Sequence, residues 1–287
     1  MTTSENNGGA VRRVATRGGA TLPSLGLGTW RMGERDDLRD HEVAALRLGL
    51  DRGMDLIDTA EMYADGGAEK VTGEAIKGRR DEVYIVTKVH PGNGSRRGVI
   101  EAAERSLRRL GTDRIDLYLL HWQGVHPLSE TLDAFAQLAH EEKIIHYGVS
   151  NFDQRAMEEA EALHHGPGIV ANQVLYNLNR RGIEWDLLPW CEDHRVAVMA
   201  YSPLSDGKLV HRPGLSAVAR RHGVSPETIA LAWTLRRPSV VSIPKASNPD
   251  HVRANYKAAS LTLSAEDCAA LDGEFPPPDH ATPLAIG

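Results

Sequence analysis

Three short apolar runs each end in a side chain that can hold a proton. Leu56-Ile57 ends in Asp58, Val83-Tyr84-Ile85-Val86-Thr87 ends in Lys88, and Ile115-Asp116-Leu117-Tyr118-Leu119-Leu120 ends in His121. Tyr63 follows Asp58 by five residues. A carboxylate, an ammonium, an imidazole and a phenol together make a proton-transfer set. Each residue also has an ordinary explanation. Asp58 before Thr59 suits a helix cap or turn, and Tyr63 a half-buried loop aromatic. Lys88 suits an exposed strand end, and His121 beside Trp122 a satisfied core histidine. The set carries chemistry only if the fold makes the four residues neighbours.

The elements that must do this are legible as an alternation. Arg17-Gly18-Gly19-Ala20 lies between two short runs and predicts a hairpin. Leu25–Thr29 reads as a first buried strand, and helical periodicity over Asp40–Gly53 as a first helix. Seven further strands are predicted near residues 56–58, 83–89, 115–121, 144–150, 169–175, 196–200 and 240–243. Helices are predicted over 68–76, 99–110, 128–142, 154–163, 185–194, 215–221, 226–235 and 249–259, with a last one at 265–271. Strands apolar on both faces, each followed by a helix, imply a parallel sheet covered by helices. Eight such units over roughly 220 residues favour an α/β (β/α)₈ TIM barrel with an N-terminal β-hairpin and a C-terminal extra helix. An open doubly wound sheet is the alternative. It normally carries a glycine-rich phosphate loop, whereas Gly26-Leu27-Gly28 is only a fragment of one, followed by Trp30-Arg31-Met32. The expected organisation is a disordered tail over 1–10, one barrel domain over 11–275 and a short tail over 276–287.

Composition narrows the partners. A net charge of -6 argues against nucleic-acid binding, and no run of about 18 apolar residues predicts a membrane span. Cys191 and Cys268 stand apart and form no CxxC pair, so a reducing, cytoplasmic home is expected. No coiled-coil heptad or large apolar stripe speaks against a monomer. None of the 13 histidines forms an HxH or HExxH pattern, and His164-His165 lies in a Gly/Pro loop, so no metal is expected.

In a barrel the strands' C-terminal ends form the working face. The polar residues there are Asp58, Lys88, His121, Ser150 with Asn151, Gln173, Tyr201 with Ser202, and Lys245. The sequence resembles the aldo-keto reductases. The motifs that carry the resemblance are Gly26-Leu27-Gly28-Thr29-Trp30, Asp58-Thr59-Ala60-Glu61-Met62-Tyr63, Thr87-Lys88, Asp116–Trp122, Gly148-Val149-Ser150-Asn151-Phe152, Asn172-Gln173, Ala200–Leu204 and Ile243-Pro244-Lys245. They run in family order from Arg12 to Phe275. Tyr63-Ala64-Asp65-Gly66-Gly67-Ala68-Glu69 and Pro244-Lys245-Ala246 are most similar to bacterial members associated with methylglyoxal and other small carbonyls.

The resemblance implies hydride transfer from NADPH, with NADH as the alternative, to an aldehyde or ketone. Tyr63 is then the proton donor, Lys88 lowers its pKa, Asp58 holds Lys88, and His121 orients the carbonyl or shares the proton transfer. Ser150, Asn151 and Gln173 match positions that hold the nicotinamide carboxamide, and Tyr201 matches the residue under its ring. Ser202, Leu204 and Ser205 fall in the loop that follows the pyrophosphate. Lys245, with Ser247 beside it, matches the lysine that meets the 2′-phosphate, and Asn255 matches an adenine contact. His251 and Ala254 stand where the family often has arginine and glutamate. Trp30 and Trp122 match walls of the substrate pocket, and the short tail after Phe275 predicts an open pocket without a lid. Glu142 occupies a place where a helix-ending glycine is common, at an expected small cost in stability.

Three other readings have features to set against them. A metal hydrolase lacks a ligand motif, and a Schiff-base aldolase using Lys88 would need a lysine that Asp58 does not keep charged. A non-catalytic NADP-binding sensor would not require the complete set Asp58, Tyr63, Lys88 and His121.

Overall fold

A computed structural model of the protein describes residues 11–205 and 212–287. The expected tail over 1–10 lies outside the described residues. A two-stranded antiparallel hairpin, β1 (Arg13–Ala15) and β2 (Thr21–Pro23), opens the chain. Eight parallel strands follow: β3 (Leu27–Gly28), β4 (Leu56–Asp58), β5 (Tyr84–Val89), β6 (Ile115–Leu120), β7 (Ile144–Ser150), β8 (Ile169–Leu175), β9 (Ala197–Tyr201) and β10 (Val240–Ser242). Between them lie α1 (Arg39–Asp51), α2 (Gly67–Ala75), α3 (Arg96–Leu110), α4 (Leu128–His140), α5 (Gln154–Glu161), α6 (Leu187–Asp193), α7 (Pro213–His222) and α8 (Pro226–Leu235). After β10 come α9 (Pro249–Ala258) and α10 (Ala265–Glu274). Most expected elements lie within a few residues of these bounds. The first strand is shorter than predicted, with only Leu27 and Gly28 in regular pairing.

Each strand pairs with its sequence neighbour, so the sheet order is the chain order. The two outer strands then meet. Leu25 bridges Ser242 and Gly28 bridges Lys245, both parallel. The Gly28 N–H donates to the Pro244 carbonyl at 3.0 Å, and the Ser242 N–H to that of Ser24 at 2.8 Å. These bonds bring the sheet round on itself as the expected barrel. Gly28 is required at this seam, because a Cβ there would lie 2.7 Å from the Ile243 carbonyl oxygen.

Two apolar clusters follow from the period-2 alternation of strand side chains. Inside the barrel, Leu56, Val86, Leu117, Leu119, Ala171, Met199 and Val241 pack on Val14, Ala20 and Leu22 of the hairpin, which plugs the bottom. Outside, Ile57, Ile85, Tyr118 and Val198 face the helices with residues such as Leu46, Val71, Phe135 and Trp233. Helix ends obey local chemistry. Ser95 caps α3 by accepting from the Gly98 N–H, and Gly111 ends it in the left-handed region. Ser264 and Asp267 form a capping box on α10.

Glu142 does the work of a terminal glycine with the wrong side chain. Its φ is 58° just after α4, while the Glu142 and Lys143 N–H groups bond back to Ala139 and Leu138. Glu142→Gly is therefore expected to raise stability by about 0.5–1 kcal/mol. Chemical denaturation measures the gain, and a lower midpoint for the glycine variant would show that the bend is not strained.

Residues 276–287 do not trail away: Leu284 packs against the core, and the Gly287 N–H donates to the Tyr201 hydroxyl at 3.1 Å. A short segment reaches the barrel mouth because it starts beside it, at Phe275, whose carbonyl accepts from Arg181. Among the described residues no helix is long and apolar enough to cross a membrane.

Candidate active site

The parity that builds the barrel core also aims the polar residues. Asp58 is two residues beyond the inward Leu56, Lys88 two beyond Val86, and His121 two beyond Leu119. Gln173, Tyr201 and Lys245 stand in the same relation to Ala171, Met199 and Ile243. The barrel therefore gathers at one mouth side chains that are far apart in sequence.

Lys88 is fully buried. Its Nζ donates to Asp58 Oδ2 at 2.8 Å and to the Thr59 carbonyl at 2.7 Å, and lies 3.5 Å from the Tyr63 hydroxyl. It also sits over the Tyr63 ring, 5.0 Å from the centroid. The other Asp58 oxygen accepts from Gln173 Nε2 at 2.7 Å. Asp58 is thus held from two sides and Lys88 from three. The Tyr63 ring meets Trp30 edge-on at 5.0 Å and His121 at 5.8 Å. His121 in turn lies against Trp122, which meets His90.

Electrostatics differ from the expectation in one respect. Burial raises the Tyr63 pKa above the usual phenol range. The Lys88 charge pulls it down and the Asp58 charge pushes it up, and the net direction is upward. Lys88 does lower it, but less than burial raises it. For Lys88 burial is the largest single influence and lowers the pKa, yet Asp58 and Tyr63 together hold it above its ordinary value. The lysine therefore stays charged. Burial, then Lys88, then His90 push the His121 pKa down to about 2. His121 is neutral at any ordinary pH, which leaves it a hydrogen-bonding role rather than that of a charged acid. Its Nδ1 is buried with no hydrogen-bond partner among the described residues.

A second group lines the adjoining side. Ser150 donates to the Gln173 carbonyl at 2.8 Å. Asn151, with a φ of 61°, donates to the His121 carbonyl at 3.1 Å and accepts from the Tyr201 hydroxyl at 3.0 Å. Gln173 thus joins the carboxylate to the Ser150–Asn151 step. Leu204 packs on the core, and Ser202 and Ser205 have positive φ in the loop after β9. Lys245 is exposed, donates to Ser247 at 3.0 Å, and forms no ion pair among the described residues. His251 is exposed and Asn255 buried on α9, while Arg253 pairs with Asp250. Trp30 is 53% exposed at the mouth.

Several contributors have no signature in the sequence. The Thr59 carbonyl is a backbone group. Asn177 is buried and donates to the Ser202 carbonyl at 2.9 Å, while Asn179 reaches Ser205. Glu61 accepts from the His90 N–H at 2.7 Å and from Asn93 at 2.9 Å, which fixes the loop under Trp122. Its place three residues after Asp58 was the available clue.

Comparison with known proteins adds to this geometry. The model of the aldo/keto reductase family matches residues 24–274. Methylglyoxal reductase YeaE of Escherichia coli (strain K12) is 47% identical over 280 residues, covering 95% of this chain and 98% of that one. A crystal structure of an aldo/keto reductase from Klebsiella pneumoniae with NADP and acetate superposes with a TM-score of 0.94 at 46% identity, covering 96% of this chain and 99% of that one. A second from the same organism, with NADPH, also gives 0.94 at 46% identity, covering 97% and 100%.

Proposed function

The chain belongs to the aldo/keto reductase family, and on that premise we propose that it reduces small aldehydes and ketones, methylglyoxal among them, to alcohols with NADPH, Tyr63 supplying the proton. The observation that carries this reading is the buried Asp58–Lys88–Tyr63 chain opening beside His121.

The mouth suits a nicotinamide dinucleotide. Tyr201 offers a half-buried ring, Ser150, Asn151 and Gln173 offer hydroxyl and amide groups, and Lys245 offers a cation with no carboxylate partner among the described residues. When bound, NADPH supplies the hydride to the carbonyl carbon. As the carbonyl oxygen gains charge, the Tyr63 hydroxyl gives it a proton. Lys88 stabilises the phenolate that remains, and Asp58 with the Thr59 carbonyl keeps the ammonium in place. Neutral His121 orients the carbonyl oxygen by a hydrogen bond. Trp30 and Trp122 wall the pocket, and the returning tail narrows it on the Tyr201 side. NADPH oxidation by methylglyoxal and simple aldehydes tests the activity. Tight NADPH binding without turnover would leave a binding protein in its place.

Lys245 is the side chain in position to prefer NADPH over NADH, His251 and Ala254 being weaker substitutes for the family's usual neighbours. Lys245→Met is expected to raise the KM for NADPH about tenfold or more and leave that for NADH nearly unchanged. Equal effects on both would assign the preference elsewhere.

A further inference from the structure

We propose that Asp133, His164 and His165 form a binding site for a divalent transition-metal ion such as zinc, on the barrel face opposite the catalytic mouth. Each offers one ligand atom, and the three atoms lie within 4.8 Å of one another. His165 Nε2 is 3.8 Å from Asp133 Oδ1. That is too long for a hydrogen bond. It is close to the separation of about 3.3 Å between two ligand atoms sharing a tetrahedral ion at 2.0–2.1 Å from each. Small side-chain rotations close the difference.

Adjacent histidines rarely point the same way, and the backbone explains why these do. His165 has a φ of 66°, and this turn brings the two rings to 3.9 Å, centroid to centroid. The turn is held from several sides. The Tyr147 hydroxyl donates to the His165 carbonyl at 2.8 Å, and the Gly168 N–H to the same oxygen at 3.1 Å. Arg17 donates to the Gly166 and Ile169 carbonyls, its charge paired with Glu161. Gly166 is pressed so close to α5 that a Cβ would fall 1.9 Å from the Ala160 oxygen. The backbone that carries the two imidazoles is therefore held in place rather than forming a loose loop.

Asp133 comes from the middle of α4, and the histidines from the turn between α5 and β8. An ion bound here would clip the helix to the turn. Two imidazoles and a carboxylate suit zinc, nickel or copper better than calcium or magnesium, and the exposed setting leaves room for water to complete the coordination. The turn lies at the N-terminal end of β8, so the ion has no part in the hydride chemistry.

The test is calorimetric titration of zinc ion into the full chain, with thermal melts and NADPH turnover measured alongside. The unsubstituted chain is expected to bind one zinc per chain in the micromolar range, with a melting midpoint about 5 °C higher at a hundredfold excess over the dissociation constant. The double variant His164→Ala, His165→Ala should lose that binding and the midpoint shift. Asp133→Asn should weaken binding about tenfold. Turnover should be unchanged in both. If metal-free melts show that the double variant is misfolded, Asp133→Asn carries the comparison. Equal zinc uptake by the unsubstituted chain and the variants, or none by the unsubstituted chain at about 100 µM, would overturn the proposal.

Discussion

Tyr63→Phe should lower the kcat for carbonyl reduction by about 10²–10⁴-fold while NADPH still binds with nearly unchanged affinity. The substitution removes one hydroxyl and keeps the ring, so the edge contacts with Trp30 and His121 survive. Lys88 loses its longest contact, at 3.5 Å, and keeps Asp58 at 2.8 Å and the Thr59 carbonyl at 2.7 Å. Neutral His121, with a pKa of about 2, cannot take over as a charged acid. Single-turnover kinetics at saturating NADPH separate the chemical step from binding. Retention of more than about a tenth of the activity would mean that the proton comes from another group.

Asp58→Asn should be severe in a different way. Lys88 is fully buried, and the asparagine presents it with an amide in place of a charge. Breaking a buried pair on one side costs about 3–5 kcal/mol. Gln173 also loses a carboxylate acceptor at 2.7 Å. Turnover is expected to fall about 10²-fold, because the ammonium beside Tyr63 is lost or misplaced.

The variant should also acquire a pH dependence that Lys88 does not give the parent near neutrality. In the parent, Asp58 and Tyr63 hold the Lys88 pKa above its ordinary 10.5. A raised lysine pKa gives stability that is complete below 10.5 and lost only as pH rises through the folded value, so this group gives no slope near neutrality. Without Asp58, burial is the dominant influence and pulls the folded pKa below the unfolded one. The unfolded chain then binds the extra proton, and stability rises with pH. Denaturant midpoints at about pH 6 and about pH 9 measure this, and parallel curves for parent and variant would show that Asp58 does not control the charge of Lys88.

The alternation of strands and helices carried most of the fold, because a buried parallel strand must be apolar on both faces and its helix on one. The same regularity made the mouth legible: a polar residue closing such a run falls on the inward parity, as Asp58, Lys88 and His121 do. What stayed hidden has no side-chain signature or depends on a balance. The Thr59 carbonyl is available at any residue, and Asn177 becomes a buried donor only once the loop after β9 passes over it. The return of Gly287 to Tyr201 is a tertiary contact between segments far apart in sequence. The upward pKa of Tyr63 reflects burial depth, whereas its spacing from Asp58 suggested only the neighbouring charges.

The seam at Gly28 also constrains how the molecule is made. The ring is joined by bonds between its first and last strands, and the hairpin beneath it is tied by Arg12 to the Pro238 carbonyl, 226 residues away. At 5–20 residues per second, a ribosome needs roughly 10–45 s to synthesise that interval. Throughout it β3 has one edge with no partner, and an unpaired strand edge is a template for other chains. Newborn chains therefore keep that edge open until β10 emerges, and slower translation late in the message would lengthen that exposure without altering the finished enzyme.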